Sequence, residues 1–281
     1  MLPASKKNYY VRMVFIYTTI TIVTLILVFP FVWMVSTSLK TSNEIFTVVP
    51  KWIPDNITLE NYRSLLNETP FLTYFKNSTI VAISTTLITL IISTFFAYGL
   101  SRFKFRGRSI FLNMLLVSQM FPLVLLIIPI FLIFIQLNMM NTYISLVLAY
   151  CTFAIPFSTL MLKSYFDGLP GELEEAALID GCTPLSVIFR VVVPLAAPGI
   201  AAVGLFAFIL SWQEFVFALT LTNTDDMRTL PVGISLMVGN REVLWGQLMA
   251  ASVFVTIPVV IVFIYFQKYL ISGMTMGSVK G

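Results

Sequence analysis

Residues 167–198 read DGLPGELEEAALIDGCTPLSVIFRVVVPLAAP and form an acidic island in an apolar half of the chain. Outside this island, no acidic residue lies between Glu68 and Glu214. The island itself contains one base, Arg190, and five acids: Asp167, Glu172, Glu174, Glu175 and Asp180. Since charges are costly to bury without partners, the acidic island must face water.

The pattern inside the acidic island predicts two short helices joined at a corner. Pro170 and Gly171 end the preceding apolar helix, and the glutamates that follow favour the positive N-terminal end of a new helix. Gly181 ends that helix, because glycine adopts the left-handed conformation most easily. Thr183 followed by Pro184 then predicts an N-cap with proline at the first helical position.

The composition outside the island indicates an all-α protein that crosses a membrane several times. Of 281 residues, 58% are hydrophobic and only 11% are charged, and the mean hydropathy is +0.92. A spanning helix needs about 20 mostly apolar residues. The charge-poor stretches predict six spans at residues 14–35, 76–99, 110–135, 143–163, 198–221 and 248–270.

The distribution of basic residues predicts the orientation. Of the 17 lysines and arginines, most flank the spans on one side, with the densest cluster at residues 102–108. Because an excess of lysine and arginine marks cytoplasmic loops, we expect both termini and residues 164–197 to be cytoplasmic and residues 36–74 to be extracytoplasmic. The same scatter of bases gives no indication of nucleic-acid binding.

The spacing within the acidic island resembles the EAA loop of ABC-importer permeases. Glu175-Ala176-Ala177 is followed by three residues and Gly181, and nine residues later by Val191, one residue, and Val193-Pro194. The family pattern has isoleucine and leucine where this chain has the two valines. In that family the loop forms a coupling helix that docks on a cytoplasmic ATPase. The resemblance implies that the coupling residues are Glu175, Ala176, Ala177, Asp180 and Gly181. The alternative is an amphipathic helix that merely lies at the membrane surface.

Further segments resemble the carbohydrate branch of these permeases, which includes the second permease subunit of maltose/oligosaccharide transporters. In chain order they are TLENYRSLL (58–66), NSTIVA (77–82), AYGLSRFKFRGR (97–108), QMFPLVLLIIPIF (119–131), SWQEFVFAL (211–219), TLPVGI (229–234) and GSVKG (277–281). The resemblance implies a single permease domain, 1–281, of the type I ABC-importer fold in the bacterial inner membrane.

The resemblance also implies the partners of this chain. They are a second homologous permease, two cytoplasmic ABC ATPases, an extracytoplasmic solute-binding protein and a sugar substrate. The cytoplasmic tail, 271–281, is expected to contact the ATPase through Val279 and Lys280.

The residues contain no recognisable catalytic set. The chain has no histidine, which removes the commonest general base, and no GxxxxGK[ST] loop for nucleotide phosphates. We therefore expect no enzymatic activity and no cofactor on this chain, with ATP and Mg²⁺ bound by the partner ATPase. A permease for another small polar solute, such as glycerol phosphate or an amino acid, is the nearer alternative. A secondary transporter is the remoter one, because it would need more intramembrane ionisable groups.

Glu214 is the only acid well inside a predicted span. An ionisable residue there faces a polar cavity or a partner helix, because exposure to lipid costs on the order of 2.5–3.5 kcal/mol. Gln213 and Glu214 are therefore candidates for the solute path, and a structural pairing of Glu214 is the alternative.

Overall fold

The computed structural model describes residues 6–238 and 243–277, which form helices and no strand. The helices before residue 140 are α1 Lys6–Ser38, α2 Ser42–Ile45, α3 Glu60–Glu68, α4 Phe71–Arg102, α5 Arg108–Met120, a 3₁₀ turn Leu123–Leu126 and α6 Ile127–Gln136. Those after it are α7 Tyr143–Asp167, α8 Glu172–Ile179, α9 Pro184–Val187, a π-helical turn Ile188–Val192, α10 Val193–Leu195, α11 Ala197–Gln213, α12 Val216–Leu221, α13 Leu230–Val238 and α14 Trp245–Gly277.

Among the described residues, four helices are long and apolar enough to cross a membrane without a break: α1, α4, α7 and α14. They correspond to predicted spans 1, 2, 4 and 6. Two further apolar segments are bent, so the number of spans reaches six if each bent pair crosses once. The all-helical membrane fold is thereby confirmed, but two predicted spans are not single helices.

The predicted span 110–135 bends by 99° between α5 and the helical segment Leu123–Gln136. Phe121, with φ −74° and ψ 128°, is extended because the ring of Pro122 disfavours a helical conformation at the preceding residue. Pro156 and Pro258, in contrast, lie inside continuous helices.

The predicted span 198–221 is also wrong as a single helix. Residues Pro184–Leu195 meet α11 at an angle of 83°, with Ala196 in a non-helical conformation at the corner. The helix then stops at Gln213, and Glu214 is extended before α12 begins. The predicted span 198–221 therefore contains one break, at Glu214, and the bend at Ala196 lies just before it.

The chain divides into two compact units, residues 1–69 with 237–254 and residues 70–236 with 255–281. In the second unit, α4 and α7 pack along small side chains. Residues of α4 spaced four apart, Thr85, Thr89 and Ser93, are fully buried, and so is Ala154 of α7. Small residues at this spacing let membrane helices approach closely.

In the first unit, α3 is fixed to the end of α1 by hydrogen bonds. The Asn61 side-chain amide donates to the carbonyl oxygens of Ser38 and Lys40 at 2.9 and 2.8 Å. The Lys40 ammonium lies 4.1 Å from the Trp33 ring centre. Burial lowers the pKa of Lys40, while nearby Glu44 acts in the opposite direction. The most apolar window of α1 has no buried residue, so this helix presents its surface to lipid or to another chain.

Candidate functional site

The acidic helix α8 ends as its residues predict. Gly181 has φ +87°, and its amide donates to the carbonyl oxygen of Leu178 at 3.1 Å. The Cys182 amide donates to the carbonyl oxygen of Ala177 at 3.0 Å. These two bonds form a Schellman motif, which satisfies the last carbonyl groups of the helix.

The second short helix also begins as predicted. The Thr183 hydroxyl accepts a hydrogen bond from the Ser186 amide at 3.3 Å, and Pro184 occupies the first helical turn. A π-helical turn, Ile188–Val192, and the short helix α10 follow. The acidic island is therefore a helix, a glycine corner and a second helix, and its local structure is confirmed.

The structure places the candidate coupling residues of α8 on two sides of the helix. Glu175, Ala176, Asp180 and Gly181 are exposed, and Ile179 beside them is 86% exposed. We call these five residues the outer face of α8.

Ala177, the fifth candidate, lies on the opposite side from this face. It is half-buried and packs against a buried cluster that includes Leu162 and Phe166 of α7 and Val187 of α9. Its small side chain lets α8 lie close to the membrane-embedded helices, so Ala177 contributes to the packing of this chain.

Sequence reasoning missed the residue that fixes α8 to the rest of the molecule, Glu174. Only 7% of its surface is exposed, although its neighbour Glu175 faces solvent. Both Nε and Nη2 of Arg102 lie 2.7 Å from Glu174 Oε1. The Tyr98 hydroxyl donates to Glu174 Oε2 at 3.0 Å. The sequence places Arg102 only in the basic turn, and its helical spacing from Tyr98 is the signal that could have indicated a shared partner.

The connection between α7 and α8 is attached to the same end of α4. Ser101 Oγ donates to Asp167 Oδ1 at 2.7 Å, and Lys163 forms an ion pair with Asp167. Arg102 Nη2 also donates to the Leu169 carbonyl oxygen at 3.3 Å. The last turns of α4 and α7 and the first turn of α8 therefore share one hydrogen-bonded cluster.

The second candidate site, Gln213 and Glu214, lies at the break between α11 and α12. Glu214 Oε1 accepts from the Phe217 amide at 2.8 Å, and Oε2 accepts from the Ala218 amide at 3.1 Å. The carboxylate thus satisfies free amides at the start of α12, as in an N-cap. The buried Tyr150 hydroxyl lies close to the same carboxylate. Gln213, in contrast, is exposed.

Val279 and Lys280 lie outside the described residues. Within the described ranges, no three histidine, cysteine, aspartate or glutamate residues are grouped so that they could hold a metal ion.

Several apolar helices long enough to span a membrane, together with an exposed acidic helix between two of them, are typical of a multi-pass membrane protein. Comparison with known proteins agrees. Residues 89–276 match the family described as the inner membrane component of binding-protein-dependent transport systems. The chain belongs to this family.

Two relatives and one solved structure are similar over almost the whole chain. The sulfoquinovosyl glycerol transport system permease protein of Agrobacterium fabrum is 40% identical, over 90% of this chain and 89% of that protein. The trehalose/maltose transport system permease protein of Thermococcus litoralis is 40% identical, over 92% of this chain and 93% of that protein. The fold matches a bacterial ABC transporter involved in the import of the acidic polysaccharide alginate, with a TM-score of 0.79 and 22% identity, over 96% of this chain and 99% of that chain.

Proposed function

We propose that this chain is a permease subunit of an ATP-driven importer for a sugar or oligosaccharide, and that α8 is its coupling helix. The observation that carries the proposal is the outer face of α8, which is exposed on one side and tied to α4 on the other through Glu174. A protein that docks on this face and moves α8 would therefore also move the membrane-embedded helix α4. The sugar assignment is supported by the carbohydrates in the names of relatives that are 40% identical.

The proposed partners follow from what this chain lacks. Its sequence has no nucleotide-phosphate loop, so ATP and Mg²⁺ would be bound by two ABC ATPases that dock on the outer face of α8. A second homologous permease would complete the solute path, and the unburied surface of α1 is available for contact with it. A solute-binding protein would deliver the sugar on the other side of the bacterial inner membrane.

The proposed topology places both termini, residues 164–197 and the tail on the cytoplasmic side, and residues 36–74 on the opposite side. The basic turn at residues 102–108 supports this assignment because cytoplasmic loops are enriched in lysine and arginine. In this topology the whole chain acts as one permease domain, and Val279 and Lys280 contact the ATPase pair.

The two candidates for the solute path, Gln213 and Glu214, have different roles. Gln213 is exposed and carries an amide that can donate to and accept from sugar hydroxyls. Both Glu214 oxygens already accept backbone amides of α12. We therefore assign solute contact to Gln213 and a capping role to Glu214.

The test begins with the tagged chain purified in mild detergent from its native membranes, with every co-purifying protein identified by mass spectrometry. We expect an ABC ATPase and a second permease. After reconstitution in lipid vesicles with the solute-binding protein, uptake should depend on ATP and should favour sugars over glycerol phosphate and amino acids. Uptake by this chain alone, without an ATPase, would instead establish a secondary transporter.

A substitution on the outer face then tests the coupling assignment. Ala176→Arg places a long charged side chain on the exposed face of α8, so it should remove the ATPase from the purified complex while the permease remains in the membrane. The matched control is Ser109→Arg, at an exposed position in the first turn of α5, and it should retain the ATPase. Retention of the ATPase by Ala176→Arg would refute docking at this face.

A further inference from the structure

The strongest unassigned feature is the charged cluster in which three chain segments meet. Arg102 is the last residue of α4. Its guanidinium bonds to Glu174 in the first turn of α8 and to the Leu169 carbonyl oxygen just after α7. One side chain therefore holds the ends of two membrane-embedded helices and the acidic helix together.

Because Glu174 and Arg102 are largely buried, their ion pair restricts the position of Glu174. The side chains of Arg102 and Glu174 are only 19% and 9% exposed. A buried carboxylate that loses its cation is strongly unfavourable, so α8 cannot move away from α4 without breaking a costly pair. The guanidinium also offers a planar set of donors of fixed direction, and the Tyr98 hydroxyl occupies the second carboxylate oxygen.

The apolar contacts of α8 do not supply this directionality. Ala177 packs against the buried cluster that includes Leu162 and Phe166. The hydrophobic effect is non-directional, so a contact of this kind permits α8 to slide or rotate over the same surface. The charged cluster adds a directional contact that holds α8 against the end of α4.

We propose that Glu174 and Arg102 are a positioning pair that makes α8, the end of α4 and the end of α7 move as one body. A displacement received at the outer face of α8 then reaches α4 at Arg102. This inference rests on the proposed function, because it requires that an ATPase displaces α8. It assigns to Glu174 a role separate from that of the exposed outer-face residues.

The first experiment measures the number of solute molecules imported per ATP hydrolysed by the reconstituted transporter. Glu174→Gln keeps the size of the side chain and removes its charge, and we expect the ratio to fall about fivefold or more while ATP hydrolysis continues. The control is Lys104→Gln, which removes an exposed charge from the basic turn at residues 102–108 and should leave the ratio unchanged.

Arg102→Lys is a second variant that tests the same pair if the transporter with Glu174→Gln does not assemble. It keeps the charge but cannot reproduce the forked contacts to Glu174 and Leu169, so the import ratio should also fall. Wild-type ratios in both variants would overturn the proposal. Absence of ATP-driven uptake by the wild-type assembly would instead contradict the proposed function itself, so the two failures are distinguishable.

The second experiment measures directly whether α8 and α4 move together. If Glu174 and Arg102 only stabilised the fold, Glu174→Gln would not change this shared motion. Spin labels are placed at the exposed positions Leu173 of α8 and Phe96 of α4, in a chain with Cys151→Ser and Cys182→Ser. The distance between the labels should stay constant when the ATPases are trapped with nucleotide and vanadate. With Glu174→Gln it should change between the two states. A distance that changes in the otherwise wild-type chain, or stays constant in both, would overturn the inference.

Discussion

Glu174 is buried and Glu214 is half-buried, and different groups stabilise the two carboxylates. Glu174 has a cation and a hydroxyl as partners, Arg102 and Tyr98. Glu214 has no ion-pair partner among the described side chains, and its oxygens accept two backbone amides at the start of α12. The comparison teaches that a carboxylate can connect separate helices through a cation, or fix a local chain break through amides. The first role is long-range and the second is local.

The largest expected effect is the removal of the cation at Glu174. Arg102→Ala leaves a buried carboxylate without its counter-charge, which should destabilise the transporter by about 3 kcal/mol. The measurement is the thermal unfolding midpoint of the assembled transporter in detergent. Arg106→Ala is the control, since Arg106 is exposed in the same basic turn, and it should change the midpoint little. Equal shifts for the two variants would show that the pair does not hold α8.

Removal of the amide acceptor at Glu214 should have the next largest effect. Glu214→Ala leaves the Phe217 and Ala218 amides without partners at buried positions, at a cost of about 2 kcal/mol. Glu214→Gln retains one acceptor oxygen and should cost about half as much. Thermal midpoints of the two variants and of wild type check the order. If Glu214→Gln were the more harmful, the charge rather than the cap would be what matters there.

A smaller effect should come from the glycine corner, which places the acidic helix against α4. Gly181→Ala forces a side chain into φ +87°, and this should cost about 1–2 kcal/mol. A Cβ atom at this position would meet nothing within 4 Å, so backbone strain alone is measured. Gly171→Ala, at φ −68°, is the control and should be neutral in the same unfolding assay. If Gly181→Ala left the thermal midpoint unchanged, the backbone at the corner would have moved to a conformation that alanine adopts without strain.

The smallest effect should come from an exposed carboxylate of the same helix. Glu172→Gln removes only a favourable interaction with the N-terminal end of α8, worth about 0.3 kcal/mol at low salt. Because Glu172 is exposed, the difference between variant and wild type should vanish in about 1 M salt. The thermal midpoint measured at both salt concentrations checks this. If Glu172→Gln lowered the thermal midpoint as much as Arg102→Ala, the burial of Glu174 would not make it more important for stability than the exposed Glu172.

Local structure could be predicted where a few adjacent residues determine it. Gly181 adopts the left-handed conformation and Thr183 caps α9, as the sequence predicts, because such motifs depend on bonds within four or five residues. The lengths of the apolar stretches predicted the four unbroken membrane-spanning helices, because about 20 apolar residues in a helix cross a membrane. Average hydropathy did not predict the bend at Pro122 or the break at Glu214, because a mean over a whole span conceals a single proline or a short polar patch such as Gln213-Glu214.

The sequence by itself therefore determined the class of protein, the positions of its four unbroken membrane-spanning helices and the local structure of the acidic island. Only the tertiary structure decided which glutamate of α8 turns inward. Glu172 and Glu175 are three residues apart and share the outward side of α8, whereas Glu174 points inward, and this orientation depends on where α4 ends. Arg102 and Glu174 are 72 positions apart, and only the packing of α8 against the membrane-embedded helices brings their charges together.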